Sequence, residues 1–117
     1  MKFEEFWQEL GRKISQLNLQ TLDQKKEFLC QYRVGEVLIT PFSSNESRPV
    51  DKSQFQRVWR RACKLSSEEQ FKPGAYSDIT VNASYIIALI DYIVKQEPIE
   101  CEQIQAREKK WKVWKSD

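Results

Sequence analysis

From Ala83 to Val94 the chain reads ASYIIALIDYIV, a run so apolar that it must form the helix at the centre of a core. The rest of the chain has to be arranged around it. Upstream, the stretch from Tyr76 is crowded with helix-capping residues, because the side-chain oxygens of Asp78, Thr80, Asn82 and Ser84 can all satisfy the free amides of a first turn. The helix is expected to start near Thr80 or Asn82 and to stop by Pro98, which cannot continue it. The run is shorter than the roughly 20 residues of a membrane span and contains Asp91, so no membrane crossing is expected.

A chain of 117 residues fits one domain, and such a domain buries roughly two-thirds of the surface that its unfolded chain exposes. Four Trp, six Phe and four Tyr supply bulk for that core. Phe3, Phe6, Trp7, Leu10, Ile14 and Leu17 recur at three- and four-residue spacing, the stripe of an amphipathic first helix. Asn18 and the segment Gln20 to Lys25 read as a polar break. Alternation then takes over, with Phe28, Cys30, Tyr32 and Val34 on one side of a strand from Lys26 to Val34. Gly35 suits a tight turn into a second strand, Val37 to Phe42, and the pair makes an antiparallel hairpin. After the hydrophilic turn Ser43 to Ser47, Arg48, Pro49 and Val50 leave room for a brief third strand.

Asp51 followed by Gln54 matches a capping box, so a second helix begins at Lys52. Its apolar face holds Phe55, Val58, Trp59 and Ala62; Arg57, Arg60, Arg61 and Lys64 fall opposite. Pro73 and Gly74 force a bend before the central helix. Ile104, Trp111 and Trp114 lie near one face of a last helix expected over Glu100 to Trp114. The fold class is therefore α+β: an N-terminal helix, a hairpin with a short third strand, then three helices, in one domain over residues 1–117.

An enzyme is not expected. The chain contains no His, which removes the commonest general base near neutral pH, and its three Gly form neither a phosphate-cradling loop nor a nucleophile elbow. No cofactor is implied. Cys30, Cys63 and Cys101 are odd in number, widely spaced and outside any CxxC pair, so the expectation is three reduced thiols, with no metal site. The amino-terminal MKFEEFWQELGRK has acids and no continuous apolar run, which argues against a secretory signal and for a cytoplasmic location.

Two surfaces could carry binding. On the central helix Ser84, Ala88, Asp91 and Lys95 form a narrow strip opposite Ile86, Leu89, Ile90 and Ile93. Such a helix is either enclosed by its own domain or completes its burial against a second copy. A homodimer formed through Ser84, Tyr85, Ala88, Asp91, Tyr92 and Trp114 is the leading expectation. The alternative is a DNA- or RNA-binding accessory domain using Arg48, Arg57, Arg60, Arg61 and Lys64, helped by a tail in which Arg107, Lys109, Lys110, Lys112 and Lys115 interleave with Trp111 and Trp114. A formal charge of only +2 confines that reading to local patches. Tyr76, Ser77, Asp78 and Asn82 could line a pocket, although a cap and loop lock explains the same residues.

The order of these pieces resembles a known group. A hairpin, a Ser-containing turn into Arg48-Pro49-Val50, an acid-capped helix with Phe55 and Trp59, and Asn82-Ala83-Ser84-Tyr85 opening an apolar helix are similar to small uncharacterised domains of bacterial mobile elements. Integron-cassette proteins and restriction-associated accessory domains are among them. The resemblance spans residues 20 to 94 and implies a bacterial cytoplasmic context and a binding role, with no catalytic residue carried over.

Overall fold

The computed structural model describes residues 1–14 and 17–101. The chain forms α1 (Phe3–Lys13), β1 (Leu17–Gln20), β2 (Glu27–Arg33), β3 (Glu36–Pro41), β4 (Arg48–Asp51), α2 (Lys52–Ala62), a 3-10 turn (Pro73–Tyr76) and α3 (Ala83–Val94). The strands make one antiparallel sheet in the order β1-β2-β3-β4. Their register pairs Leu19 with Phe28, Cys30 with Ile39 and Val37 with Val50.

The sheet has one strand more than the sequence pattern suggests. Leu17-Asn18-Leu19-Gln20 carries a short apolar-polar alternation, and Leu17 belongs to this strand instead of extending the first helix. Thr21 closes the β1–β2 turn. Its amide donates to the Lys26 carbonyl at 2.9 Å and its hydroxyl accepts from the Lys26 amide at 3.0 Å. At the β2–β3 turn Gly35 has φ of 82°, a conformation in which a Cβ is disfavoured. Val34 sits in that turn, fully outside the core, because β2 ends at Arg33. Of the last helix expected over Glu100 to Trp114, Glu100 and Cys101 are not helical, and the rest, with Ile104, Trp111 and Trp114, lies outside the described residues.

Alternation sorts the sheet into two faces. Phe28, Cys30, Val37, Ile39, Pro41 and Val50 are buried under the helices. Leu29, Gln31, Leu38, Thr40, Phe42 and Pro49 point the other way, and none of them is buried. On the covered side α1 and α2 meet through aromatic rings. Phe6 stacks on Trp59 with centroids 5.1 Å apart, and Trp7 meets Phe55 edge-on at 5.3 Å. Gly11 leaves room for the Tyr32 ring: a Cβ there would lie 3.2 Å from the ring.

α3 fills the centre, touching α1, α2, β1 and the 3-10 turn. Eight of its twelve residues are buried. Replacing Phe6 by Ala should lower unfolding free energy by about 3–5 kcal/mol, and Leu89→Ala by about 2–5 kcal/mol, in urea titrations. Both residues are fully enclosed, so each truncation leaves a cavity that neighbours cannot collapse to fill.

Candidate functional site

α2 is the element on which the polar side chains converge. Asp51 caps it, accepting from the Gln54 amide at 3.0 Å and from the Ser53 hydroxyl at 2.7 Å. These two bonds hold its carboxyl below the usual carboxylate range. The Gln54 side chain does not reach back to the cap as a capping box requires. Its Oε1 instead accepts from the Thr80 hydroxyl at 2.7 Å and from Asn82 Nδ2 at 3.2 Å, joining the start of α2 to the start of α3.

Asn82 is buried, and its partners come from the preceding loop and from two other elements. Its amide donates to Thr80 Oγ1 at 3.0 Å, and its Oδ1 accepts a long 3.4 Å bond from Arg48 Nη1. The Asn82 side chain caps nothing; its carbonyl accepts the first bonds of α3 from Tyr85 and Ile86. The Arg48 guanidinium lies 5.6 Å from the centre of the Tyr85 ring, whose edge meets Phe28. Arg48 is thus an internal tie between β4 and α3.

Arg61 is also committed. It grips Asp78 through two donors, at 3.1 and 2.9 Å, and donates to the Ala75 carbonyl at 2.9 Å. The guanidinium holds the Asp78 carboxyl below its ordinary range. Tyr76 is buried with its hydroxyl donating to the Gln70 carbonyl at 2.6 Å, and burial pushes its pKa up to about 12. Ser77 bonds the Gly74 carbonyl. Tyr76, Ser77, Asp78 and Asn82 each bond a different partner within the fold. What they build is the connection between α2 and α3.

Three of the five candidate cations remain. Arg57 and Arg60 on α2, and Lys64 in the turn after it, are exposed, and none has an ion-pair partner among the described residues. The candidate self-association strip is partly internal. Ala88 is 3% exposed, Ser84, Tyr85, Asp91 and Tyr92 are half-buried, and Trp114 lies outside the described residues. A cleft of about 440 Å³ separates α1 from the end of α3, between Glu5, Gln8 and Arg12 and Val94, Lys95 and Glu97. Its charges alternate in sign, and Glu9 on its wall is already paired with Arg12 and Lys13. No group of three or more metal-ligating side chains occurs among the described residues.

The cysteines require a correction. Cys63 and Cys101 are joined as a disulfide, with Cα atoms 5.5 Å apart, although nothing in their 38-residue spacing signals a pair. Cys30 alone is free; it is buried, and burial pushes its thiol up to about 12, so it stays protonated near neutral pH. Sequence reasoning also missed Gln70, and it assigned Gln54 and Thr80 to helix caps although their side chains bond each other across the fold. Gln70 Nε2 donates to the Ala62 carbonyl at the end of α2.

No protein family, curated protein or solved structure matches the chain.

Asp51 and Asp78 set an acid limit. Both folded carboxyls ionise below their unfolded values, so the stability they contribute is complete above about pH 4 and is lost as pH falls through the lowered folded values. Thermal melts from pH 7 to pH 2 should show this fall, and Asp78→Asn should flatten part of it. Asp51→Ala should cost about 1 kcal/mol at neutral pH. Asn82→Ala, which strips partners from Gln54 and Arg48, should cost about 1–3 kcal/mol.

Proposed function

We propose that the protein is a non-catalytic binding module whose outer α2 face takes a polyanion, single-stranded nucleic acid being the fitting class. One observation carries this reading: Arg57 and Arg60 on α2 and Lys64 in the turn that follows it are exposed, and none forms an ion pair among the described residues. Arg57 and Arg60 can grip phosphate with two donors each, and Lys64 adds a point charge one turn further on. Arg48 and Arg61, bound within the fold, position elements and do not belong to the binding set. The bacterial mobile-element context suggested by the resemblance is compatible with such a role.

A second reading is self-association, moved from α3 to the open face of the sheet. Leu29 and Leu38 are half-buried there, and Phe42, at 50% exposure, and Pro49 adjoin them. A second copy would cover this apolar strip, and the α3 strip adds little to it because Ala88 is already enclosed.

The first reading is tested by anisotropy of a labelled oligothymidylate at several salt concentrations. Three phosphate contacts predict a slope of log K against log salt of about −2 for single strands. The triple change Arg57→Glu, Arg60→Glu and Lys64→Glu should abolish binding while leaving the melting temperature near that of the parent. Absence of binding at low salt rejects the reading. For the second, light scattering at rising concentration should report a dimer that Leu38→Lys dissociates; a monomeric mass throughout rejects it.

A further inference from the structure

Beyond α3 the chain reverses sharply. Lys95 and Gln96 have φ of 46° and 75°, two consecutive residues in the left-handed region with no Gly to relieve them. The following segment runs as a strap back across the end of α2. Ile99 is its buried anchor, at 9% exposure, while Gln96, Glu97, Pro98, Glu100 and Cys101 are exposed. The Glu100 carbonyl accepts the indole N–H of Trp59 at 2.8 Å, and the Glu100 amide donates to the Met1 carbonyl at 2.9 Å. The Cys63–Cys101 bond then ties the far end of the strap to α2.

These contacts have unequal strength. Apart from Ile99 and the Trp59 indole, the strap is held by polar contacts of the exposed Glu97, Pro98 and Glu100, mostly with the amino terminus, and it follows a strained hinge, so it belongs to the more weakly held part of the fold. Trp59, only 1% exposed, belongs to the strongly held part, packed on Phe3 and Phe6. A covalent tie between the two regions therefore matters most for the strap. It is also reachable, because Cys101 is exposed and Cys63 half-buried.

We propose that the Cys63–Cys101 bond is a reducible latch: in the oxidised protein it holds residues 96–101 closed over the edge of Trp59, and reduction lets the strap open about Lys95 and Gln96. The step is ordinary thiol–disulfide exchange with a dithiol. One thiolate of the reductant attacks the exposed Cys101 sulfur, the bond to Cys63 breaks, and Cys63 leaves as a thiolate that takes a proton. The second thiol of the reductant then displaces Cys101 from the mixed disulfide. The protein gains two electrons and two protons as two thiols, and the reductant ends as a disulfide. This inference is independent of the polyanion reading.

The test uses the full chain, oxidised in air and then treated with dithiothreitol. Iodoacetamide under native conditions should modify no cysteine before reduction, and Cys63 and Cys101 but not buried Cys30 afterwards, read by peptide mass mapping. Amide exchange at Glu97 and Glu100, and exchange of the Trp59 indole proton, should accelerate at least tenfold on reduction. Amides of α3 and of β2 and β3 should keep their rates. Cys101→Ser should reproduce the reduced pattern without dithiothreitol. Three results each overturn the latch: Cys63 and Cys101 both alkylated without reductant, strap exchange unchanged by reduction, or loss of protection throughout the fold, which would make the bond a global staple.

Discussion

The structure depends on enclosing α3. A helix with eight of twelve residues buried cannot rest on one surface, because an amphipathic stripe covers only part of its circumference and the remainder needs its own walls. The sheet and its connections supply one wall through β1, α1 and α2 supply two more, and the 3-10 turn closes the last. α1 and α2 must then lie on the same side of the sheet. The rings of Phe3, Phe6, Trp7, Phe55 and Trp59 fill the space between them, each removing on the order of 200 Å² from water. The open sheet face is the geometric consequence: every described helix is used on the other side.

Enclosing α3 also decides the fate of the polar groups at its start. A buried Asn82 needs partners, since an unpaired amide in the interior costs about 1–3 kcal/mol. Gln54 and Thr80 provide them, and no buried side-chain polar atom among the described residues lacks a hydrogen-bond partner. Arg48 is drawn into the same arrangement by Asn82 and the Tyr85 ring. A second arginine, Arg61, is turned along the surface to Asp78 and the Ala75 carbonyl, where it pins the loop that leads into α3. The basic side chains of α2 and the turn after it thus divide into one structural cation, Arg61, and three, Arg57, Arg60 and Lys64, that form no ion pair among the described residues.

Periodic burial was legible in the residues, and contact between distant neutral groups was not. The stripe Phe3, Phe6, Trp7, Leu10, the face Phe55, Val58, Trp59, Ala62 and the apolar run after Ala83 each place a helix where the structure has one. The hairpin around Gly35 follows from alternation and one residue tolerant of positive φ. β1 escaped because four residues give only two apolar positions, and Leu17 also continues the helical stripe of α1. Gln54 matched a capping box by spacing, but the deciding quantity was the need of Asn82 for a buried partner, which no local pattern contains. The Cys63–Cys101 pair was invisible for the same reason: the reversal at Lys95 and Gln96 brings Cys101 back to α2, and neither residue is one that advertises a left-handed turn.

The distribution of the remaining charge determines from which side an anion can approach. On the open face Glu36 and Asp51 share one register row with Arg33, while Glu27 pairs with the neutral Gln20. On the other side Arg57 and Arg60 are exposed on α2, which contains no acid, and Lys64 is exposed in the turn after it. A formal charge of +2 conceals this separation, because the two surfaces nearly cancel in the sum. Screening over about 8 Å at physiological salt keeps them from cancelling in space. This division of charge disfavours a polyanion at the sheet and favours one on the outer side of α2. Three cations are too few for a large long-range field, and any affinity they confer has to fall steeply with salt.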